Sequence, residues 1–320
     1  MSIVLAVARG PEGAQVEWRH SIHSSLSEAA RDEPPHGVYL VARTYRGGHV
    51  LELDAHFDRM ERSAAAQGWP LRVPRTQLRQ ILRQMLHKLG GETPRGPTPA
   101  EPPPSGPTSR EPTPQGPTLH KDTPSPRDGR FRVTAVLDDP PWYRLAMEPA
   151  GGVNPELLRL GVHCSVHRGA VRADAEIKST AWMAERRSLA AQSRGRADPV
   201  YEHLLAREDG AILEGASSNF YACIGGTVHT AGEGVLHGIA RRIVLTVIDD
   251  LAPEVTVDFQ PATIAQLESG AIDEAFITSS TRGVVPVRSI DTVHLGPPGA
   301  LTAEISRRYA AWLAAHLEPL

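Results

Sequence analysis

The stretch ILEGASSNF, residues 212–220, decides how the rest of the sequence is interpreted. Two apolar residues lead into Glu214, Gly215 opens a turn, and small hydroxyl residues and Asn219 lead into the next apolar run. This pattern predicts two strands joined by a tight turn. Taken alone it indicates no function, because a glutamate before a turn is usually an exposed surface residue.

Three other segments accompany this stretch. Upstream, the sequence IKS at 177–179 places Lys178 after an apolar residue, at the end of a predicted strand. Downstream come GVLHGIAR at 234–241 and FITSSTRGVVPV at 276–287. The sequence contains three lysines, at 88, 121 and 178, among many arginines, so a lysine in an apolar setting is unusual in this chain.

A lysine and the motifs EGxSSN, GVLxGI and TSST, in this order and spacing, resemble the class IV pyridoxal-phosphate (PLP) aminotransferases. That family includes branched-chain aminotransferases, D-amino-acid aminotransferases and 4-amino-4-deoxychorismate lyases. The resemblance covers nearly the whole chain outside one proline-rich insert. It implies the α+β, two-lobed fold type IV, with a small N-terminal α/β lobe at 1–150 and a larger C-terminal PLP-binding lobe at 151–320. It also implies a homodimer whose partner subunit helps to close the active site.

The resemblance implies a role for each of several residues. Lys178 is expected to hold PLP as a Schiff base and to act as general base and acid. Glu214 is expected to keep the pyridine nitrogen protonated. Arg59, in the sequence HFDRM at 56–60, is expected to bind the phosphate together with a helix N-terminus at 238–240. The full set of predicted cofactor-binding residues is Arg59, Lys178, Glu214, Ser218, Asn219, Gly238, Ile239, Ala240, Ser279, Ser280 and Thr281.

The substrate side of the site is less sharply defined. The sequence GVYLVAR at 37–43 resembles the substrate-facing strand of D-amino-acid enzymes, so Tyr39 and Arg43 are the predicted substrate contacts. Met183 stands where branched-chain enzymes place a tyrosine, and Ala240 stands where many relatives carry threonine. The strand predicted at 131–138 lacks the Arg-x-His that binds the substrate carboxylate in D-amino-acid enzymes. The subfamily and the chirality of the substrate therefore stay open.

Local patterns predict the elements that carry these residues. A strand is predicted at 37–45, a turn at 46–48 and a second strand at 49–53. Asp54 is the predicted N-cap of the helix that contains Arg59, and another helix is predicted at 179–192.

The implied activity is amino-group transfer between an amino acid and a 2-oxo acid. One alternative is 4-amino-4-deoxychorismate lyase activity, in which the same cofactor site eliminates pyruvate. A second alternative, from another class of protein, is an inactive scaffold that docks a partner through its proline-rich segment. The presence of both Lys178 and Glu214 argues against the scaffold.

Composition restricts the function further. The 320 residues carry a net charge of −3, which gives no indication of nucleic-acid or membrane binding. No apolar run approaches the ~18 residues that span a bilayer, so we expect a cytoplasmic protein. Two cysteines are too few for a disulfide framework. His163, Ser165 and His167 share one face of a predicted strand, but without a third ligand we predict no metal site.

Residues 92–128 differ in composition from the rest of the chain. They contain twelve of the 28 prolines, and Gly-Pro-Thr recurs at 96, 106 and 116. Such a segment has little apolar surface to bury, so we predict a disordered surface insert in the N-terminal lobe. We favour a passive insertion over a docking ligand because loops tolerate added length well.

Overall fold

The computed structural model describes residues 3–10, 13–90, 127–192 and 199–320. Most of the predicted proline-rich insert, up to residue 126, lies outside these described residues. The final residue of the predicted insert, Asp128, is described and is only 2% exposed. Its Oδ1 atom accepts hydrogen bonds from Thr44 Oγ1 at 3.2 Å and from the Gly47 backbone N–H at 2.8 Å. Asp128 therefore belongs to the folded lobe, and the predicted boundary of the insert was two residues too long.

Seven antiparallel strands form the first sheet. They are β1 (Val4–Arg9), β2 (Gln15–His20), β3 (Gly37–Tyr45), β4 (His49–Leu51), β5 (Gly129–Val136), β6 (Trp142–Pro149) and β16 (Leu317–Pro319). Their order in the sheet is β16-β4-β3-β5-β6-β1-β2. The short helix α1 (Leu26–Ala29) continues into a 3-10 turn (Ala30–Asp32), and the longer helices α2 (Leu53–Ala65) and α3 (Arg75–Gly90) share the apolar core of this sheet.

A second, mixed sheet is built from the C-terminal half of the chain. Its strands are β7 (Val162–Arg168), β8 (Glu202–Ala206), β9 (Ile212–Gly215), β10 (Ser218–Ile224), β11 (Thr227–His229), β12 (Thr256–Asp258), β13 (Glu274–Ser279), β14 (Gly283–Ile290) and β15 (Val293–His294). The order is β12-β11-β10-β13-β14-β7-β8-β9, with β15 on β14. Because β9 also pairs with β10, six of these strands close into a ring. The helices are α4 (Pro155–Leu160), α5 (Trp182–Gln192), α6 (Ile239–Asp249), α7 (Ile264–Glu268) and α8 (Ala300–Ala315).

The end of the chain returns to the first sheet. β16 pairs antiparallel with β4, and the C-terminal Leu320 is 3% exposed in the core beneath the sheet. The predicted two-lobed α+β architecture is confirmed by the two sheets. The predicted boundary between the two lobes at residue 150 stays a prediction. Strand β16 falls in the range predicted for the C-terminal lobe, but it lies in the N-terminal sheet.

Two predicted helix starts were wrong for reasons of tertiary structure. Helix α2 begins at Leu53, with Glu52 rather than Asp54 at the N-cap. The backbone N–H of Leu53 donates to Glu318 Oε1 at 3.1 Å, so a carboxylate from the C-terminal strand satisfies the helix end. Helix α5 begins at Trp182 rather than at residue 179, because the residues before it are hydrogen-bonded to β3. Within the described ranges, no helix is long and apolar enough to cross a membrane.

Candidate active site

A cavity of about 220 Å³ lies between the two sheets. Its walls come from β3 and β5 of the first sheet, the segment around Lys178, the β9–β10 turn, the N-terminus of α6 and the β13–β14 turn. All four segments that the sequence singled out therefore meet at one place, although 96 residues lie between the end of the first at 179 and the start of the last at 276.

Lys178 lies in an irregular segment and not at the end of a strand, so that prediction was wrong. A single β-bridge joins Ser179 to Val38 of β3. The Lys178 carbonyl accepts from the Tyr39 N–H at 3.1 Å, and the Lys178 N–H donates to Ser63 Oγ of α2 at 3.2 Å. The N-terminal sheet and its helix therefore fix the backbone that carries the amine.

Lys178 is partly buried, and its amine lies among cations. Burial, assisted by the charges of Arg59 and Arg172, lowers the pKa of Lys178 to about 8. Its Nζ lies 5.0 Å from the centroid of the Tyr39 ring. Burial favours the neutral phenol, yet the combined charges of Lys178, Arg132 and neighbouring arginines lower the pKa of Tyr39 to about 7. An amine that loses its proton near neutral pH is suited to act as nucleophile or base.

Glu214 is the penultimate residue of β9 and is 2% exposed. Its Oε1 lies 3.3 Å from Arg172 Nη1, and its Oε2 accepts from the Leu236 N–H at 3.1 Å. Asn219 Nδ2 is 3.4 Å from the same Oε2 and donates to the Leu236 carbonyl at 2.8 Å. Burial raises the pKa of Glu214. Arg172, the hydrogen bond from the Leu236 N–H and Lys178 act in the opposite direction but do not cancel this rise.

Two features on one side of the cavity suit an anion, and we call them together the anion cradle: Arg59 and residues 238–240. Arg59 is 6% exposed, and burial lowers its pKa to about 10. Its Nη2 donates to His56 Nδ1 at 3.3 Å, and burial with the adjacent cations holds the pKa of His56 well below its usual value. No carboxylate in the described part of the chain lies within ion-pair distance of Arg59.

The second half of the anion cradle is the N-terminus of α6. Gly238 is the N-cap of this eleven-residue helix, and its first N–H groups have no intrahelical partner. A Cβ at Gly238 would lie 2.5 Å from Asn219 Oδ1, so only glycine lets the helix start approach the β9–β10 hairpin this closely. The free N–H groups thereby remain open towards the cavity.

The turn between β13 and β14 forms another part of the cavity wall. Ser279, Ser280 and Thr281 all line the cavity, as predicted by their motif. The adjacent Arg282 donates from Nε to Ser279 Oγ at 2.9 Å and from Nη2 to Glu202 Oε2 at 2.9 Å. Ser217 and Ser218 also donate to Glu202, so this carboxylate fixes both turns.

The structure brings most of the predicted residues together and separates two of them. Tyr39 lines the cavity, whereas Arg43 does not. The Nε of Arg43 is 3.4 Å from the Thr44 carbonyl oxygen, and the Arg43 guanidinium lies over the ring of Tyr45. The side chain of Ile239 packs in the core with α8 and the second sheet instead of lining the cavity. The other predicted cofactor-binding residues all line it, namely Arg59, Lys178, Glu214, Ser218, Asn219, Gly238, Ala240, Ser279, Ser280 and Thr281.

Sequence reasoning missed several cavity residues. Two of them stand on β5, where Arg132 Nε donates to Glu33 Oε1 at 2.8 Å and Arg130 Nε donates to Glu148 Oε1 at 2.6 Å. The others are Arg172, Trp182, Arg186 and Arg282. The only available signal was proximity in sequence, since Arg172, Trp182 and Arg186 lie within eight residues of Lys178 and Arg282 follows the TSST motif directly.

The histidine pair on β7 does not form a metal site. His163 Nδ1 lies 2.9 Å from Ser289 Oγ, and His167 Nε2 lies 2.8 Å from His203 Nδ1. Among the described residues, no group of three or more His, Cys, Asp or Glu side chains is placed to hold a metal ion.

The cavity and fold place the chain in a known class. The sequence pattern of the family described as amino-transferase class IV matches residues 37–290, and the chain belongs to this family. It is 28% identical over 280 residues to the D-alanine aminotransferase of Bacillus licheniformis, a match that covers 84% of each sequence. It is also 30% identical to the aminodeoxychorismate lyase of Bacillus subtilis (strain 168) over 104 residues, 31% of this chain and 33% of that relative.

Solved structures share the whole fold. The branched-chain aminotransferase of Thermoproteus uzoniensis, solved with norvaline, has a TM-score of 0.69 at 19% identity and covers 100% of this chain and 99% of its own. An aminotransferase of Brucella abortus, solved bound to PLP, has a TM-score of 0.68 at 19% identity and covers 97% and 99%. These matches confirm the predicted fold type IV.

Proposed function

We propose that this chain is a PLP-dependent aminotransferase that moves an amino group between an amino acid and a 2-oxo acid, with Lys178 as the catalytic amine. The observation that carries the proposal is that Lys178, Glu214 and the anion cradle face one cavity. PLP chemistry requires these three features, namely an amine, a carboxylate for the ring nitrogen and a site for the phosphate.

Three properties of the site fit the cofactor. Arg59 is a buried cation whose side-chain partner among the described residues is the neutral His56, which leaves its charge for a phosphate. The start of α6 is open because position 238 is glycine. Arg172 Nε is buried and has no hydrogen-bond partner among the described residues. Arg59 and residues 238–240 would hold the phosphate, Glu214 the ring nitrogen, and Lys178 the aldehyde carbon.

When bound, PLP would supply an electron-withdrawing ring that stabilises negative charge at the substrate Cα. The chain's own residues would control the proton. Lys178 Nζ, with a pKa of about 8, would accept the proton that leaves the substrate Cα and hold it for its return. Glu214 would keep a compensating charge beside the ring nitrogen, and Arg172 holds the Glu214 carboxylate in position. Tyr39, which also lines the cavity, would contact the substrate.

The lyase remains a second candidate, because one of the relatives is an aminodeoxychorismate lyase. The same lysine and carboxylate would serve an elimination. The residues that bind the substrate would therefore distinguish the two activities. The inactive scaffold is disfavoured because the buried amine and carboxylate both face the cavity.

We also propose a homodimer and a cytoplasmic location, on the resemblance to class IV enzymes. A dimer would have twice the 34.6 kDa of the single chain. Light scattering on a size-exclusion column would measure this mass, and a single species of 34.6 kDa would contradict the dimer.

Two measurements test the function. Purified protein should be yellow, and borohydride followed by peptide mapping should place a phosphopyridoxyl group on Lys178; a label on Lys88 or Lys121 would contradict the assignment. Half-reactions should then be followed with a panel of L- and D-amino acids and with aminodeoxychorismate. Amino transfer from an amino acid, with no pyruvate release from aminodeoxychorismate, supports the aminotransferase. Pyruvate release from aminodeoxychorismate, with no amino transfer from any amino acid, supports the lyase.

A further inference from the structure

Glu202 is a buried carboxylate that the reaction proposed above does not use. It is the first residue of β8 and is 4% exposed. Burial raises the pKa of the Glu202 carboxyl, but the charges of Arg282 and Arg186 together with its hydrogen bonds outweigh this rise, so the pKa lies below its ordinary value. Glu202 is therefore ionised at neutral pH, and an ionised carboxylate can only accept hydrogen bonds.

This carboxylate joins two turns of the cavity wall. Its Oε2 accepts from Ser217 Oγ at 2.5 Å and from Ser218 Oγ at 3.0 Å, both at the β9–β10 turn. The same atom accepts from Arg282 Nη2 at 2.9 Å, in the β13–β14 turn. The other oxygen, Oε1, accepts from the His203 N–H at 3.2 Å. The buried charge is thus fixed on β8 and holds the two turns together.

The packing at residue 215 shows how closely the β9–β10 turn approaches the carboxylate. A Cβ at Gly215 would overlap Ser218 Oγ and lie 2.9 Å from Glu202 Cγ. Only glycine therefore allows this approach, which brings the serine hydroxyls within reach of Glu202. Gly215 directly follows Glu214, so the contact lies next to the carboxylate assigned to the ring nitrogen.

Glu202 also determines where the hydroxyl hydrogens of this wall point. Since the ionised carboxylate offers only lone pairs, Ser217 and Ser218 must each direct their single hydroxyl hydrogen to it. Neither serine has a hydrogen left for an anion in the cavity, although both line it. By contrast, no hydrogen bond joins the hydroxyl of Ser280 or Thr281 to another described residue, so both can donate into the cavity.

The two free hydroxyls lie close to the anion cradle. Asn219 of β10 pairs with Thr278 of β13, just ahead of the β13–β14 turn. Asn219 also donates from Nδ2 to the Leu236 carbonyl at 2.8 Å, just ahead of the N-cap Gly238. The turn that carries Ser280 and the start of α6 are therefore neighbours on either side of Asn219.

We propose that Glu202 is a positioning residue for anion binding, acting through Arg282 and the two serines that donate to it. It fixes the β13–β14 turn so that Ser280 and Thr281 direct their hydroxyls to an oxyanion beside the anion cradle. This inference rests on the proposed function for the identity of the anion, a phosphate group. Inorganic phosphate probes the same site without the cofactor.

The sign of the effect separates positioning from plain electrostatics. Removal of a buried negative charge near an anion site normally tightens anion binding, because a repulsion is lost. It would also free Arg282 to bind the anion directly. Glu202→Gln should instead weaken phosphate binding, because the β13–β14 turn loses its fixed position.

Calorimetry of the full-length apoenzyme with inorganic phosphate measures this effect. Glu202→Gln should raise the phosphate Kd by about tenfold, the loss expected when a charge-assisted hydrogen bond is misplaced. Glu208→Gln, in the exposed turn beyond the other end of β8, is the matched control and should leave the Kd unchanged. Tighter or unchanged phosphate binding in Glu202→Gln would overturn the proposal, even if the melting temperature falls.

A second variant covers the case in which Glu202→Gln does not fold, since a buried cation left without its partner is strongly destabilising. Glu202→Gln/Arg282→Met removes both charges. If the two residues act as one unit, this double variant should also raise the phosphate Kd by about tenfold. A loss of roughly a hundredfold, the product of two independent effects, would contradict the proposal.

Serine variants test the direction of the hydroxyls. Ser280→Ala should raise the phosphate Kd by about tenfold, because a donor to the anion is lost, and Ser218→Ala by about twofold or less. Equal losses in the two variants would overturn the proposal. Phosphate binding that depends on Glu202, without any binding of PLP, would contradict the proposed function alone.

Discussion

Arg172 Nη1 lies 3.3 Å from Glu214 Oε1, and the two side chains are 7% and 3% exposed. Nη2 of the same arginine donates to the Ile177 carbonyl at 2.8 Å, directly before Lys178. One guanidinium thus connects the carboxylate of the β9–β10 hairpin to the segment that carries the amine. It fixes the relative position of two groups that no secondary-structure element joins.

Arg172→Gln tests this connection. Glu214 would lose its buried cationic partner, and a charge left unpaired in the interior typically costs about 3–5 kcal/mol. We therefore expect a lower melting temperature and weaker PLP retention, with a Glu214 pKa that rises further. Arg168→Gln, at the exposed end of the neighbouring strand β7, is the control. Equal stability of the two variants would show that the connection contributes nothing.

The pKa of Lys178 predicts how the apoenzyme captures its cofactor. Only the unprotonated amine attacks an aldehyde, so the rate of PLP attachment should rise with pH and level off near the pKa of about 8. A lysine with an unperturbed pKa of about 10.4 would show a continuing rise. Tyr39→Phe should move the inflection to lower pH, because a phenolate beside the amine raises the pKa of Lys178.

Stopped-flow absorbance of the apoenzyme with PLP from about pH 6 to about pH 11 measures this profile, since that range spans the perturbed and unperturbed pKa values. Tyr143→Phe, whose hydroxyl bonds to the Arg72 carbonyl outside the cavity, is the control. An inflection that stays in place in Tyr39→Phe would contradict the proposed coupling of the two groups.

Arg59→Ala tests the anion cradle. The phosphate would lose a charge-assisted pair, which is worth roughly 1.5–3 kcal/mol, so the Kd for PLP should rise by about 10- to 100-fold. Arg62→Ala is a matched control, because Arg62 lies one turn further along the same helix and is exposed. Equilibrium dialysis gives both constants, and equal affinities would show that Arg59 does not bind the phosphate.

Glu214→Gln tests whether Glu214 is needed for PLP binding or for the reaction at the substrate Cα. A neutral amide keeps the size of the side chain but cannot hold the charge of a protonated ring nitrogen. PLP should therefore still bind, while single-turnover removal of the Cα proton becomes much slower. Glu233→Gln is the control, since Glu233 is exposed in the loop that precedes α6. A wild-type single-turnover rate in Glu214→Gln would disprove the role.

The last prediction concerns the end of the proline-rich insert. Residues 92–126 have little apolar surface to bury. Replacing them with a short Gly/Ser linker should therefore leave the melting temperature and turnover close to those of the parent. Replacing 92–128 should lower the melting temperature, because Thr44 Oγ1 and the Gly47 N–H lose the Asp128 acceptor. Each buried donor left without a partner costs about 1–3 kcal/mol.

Asp128→Ala in the full-length chain is the matched variant and should lower the melting temperature as much as the longer replacement does. A large loss of stability on replacing 92–126 alone would show that the prediction of a passive insert was wrong.

The sequence by itself determined the class of fold and the inner part of the site. The turn after Glu214 and the helix start at 238–240 could be predicted because each motif imposes a local backbone shape, a tight turn and an open helix end. Lys178 was identified through the resemblance to a known family, since its predicted place at the end of a strand was wrong. The strand at 37–45 could also be predicted from the sequence, because it is rich in apolar and β-branched residues.

The tertiary structure alone decided which arginines face the cavity and which are neutralised. Arg43 and Arg132 lie on the same face of adjacent strands, yet Arg43 lies outside the cavity and Arg132 lies within it. The position of Arg186 and the pairing of Arg172 depend on contacts between segments that are distant in sequence. Arginines occur throughout this chain with no periodic signal, and long-range ion pairs are set by packing. For that reason no local pattern could identify them.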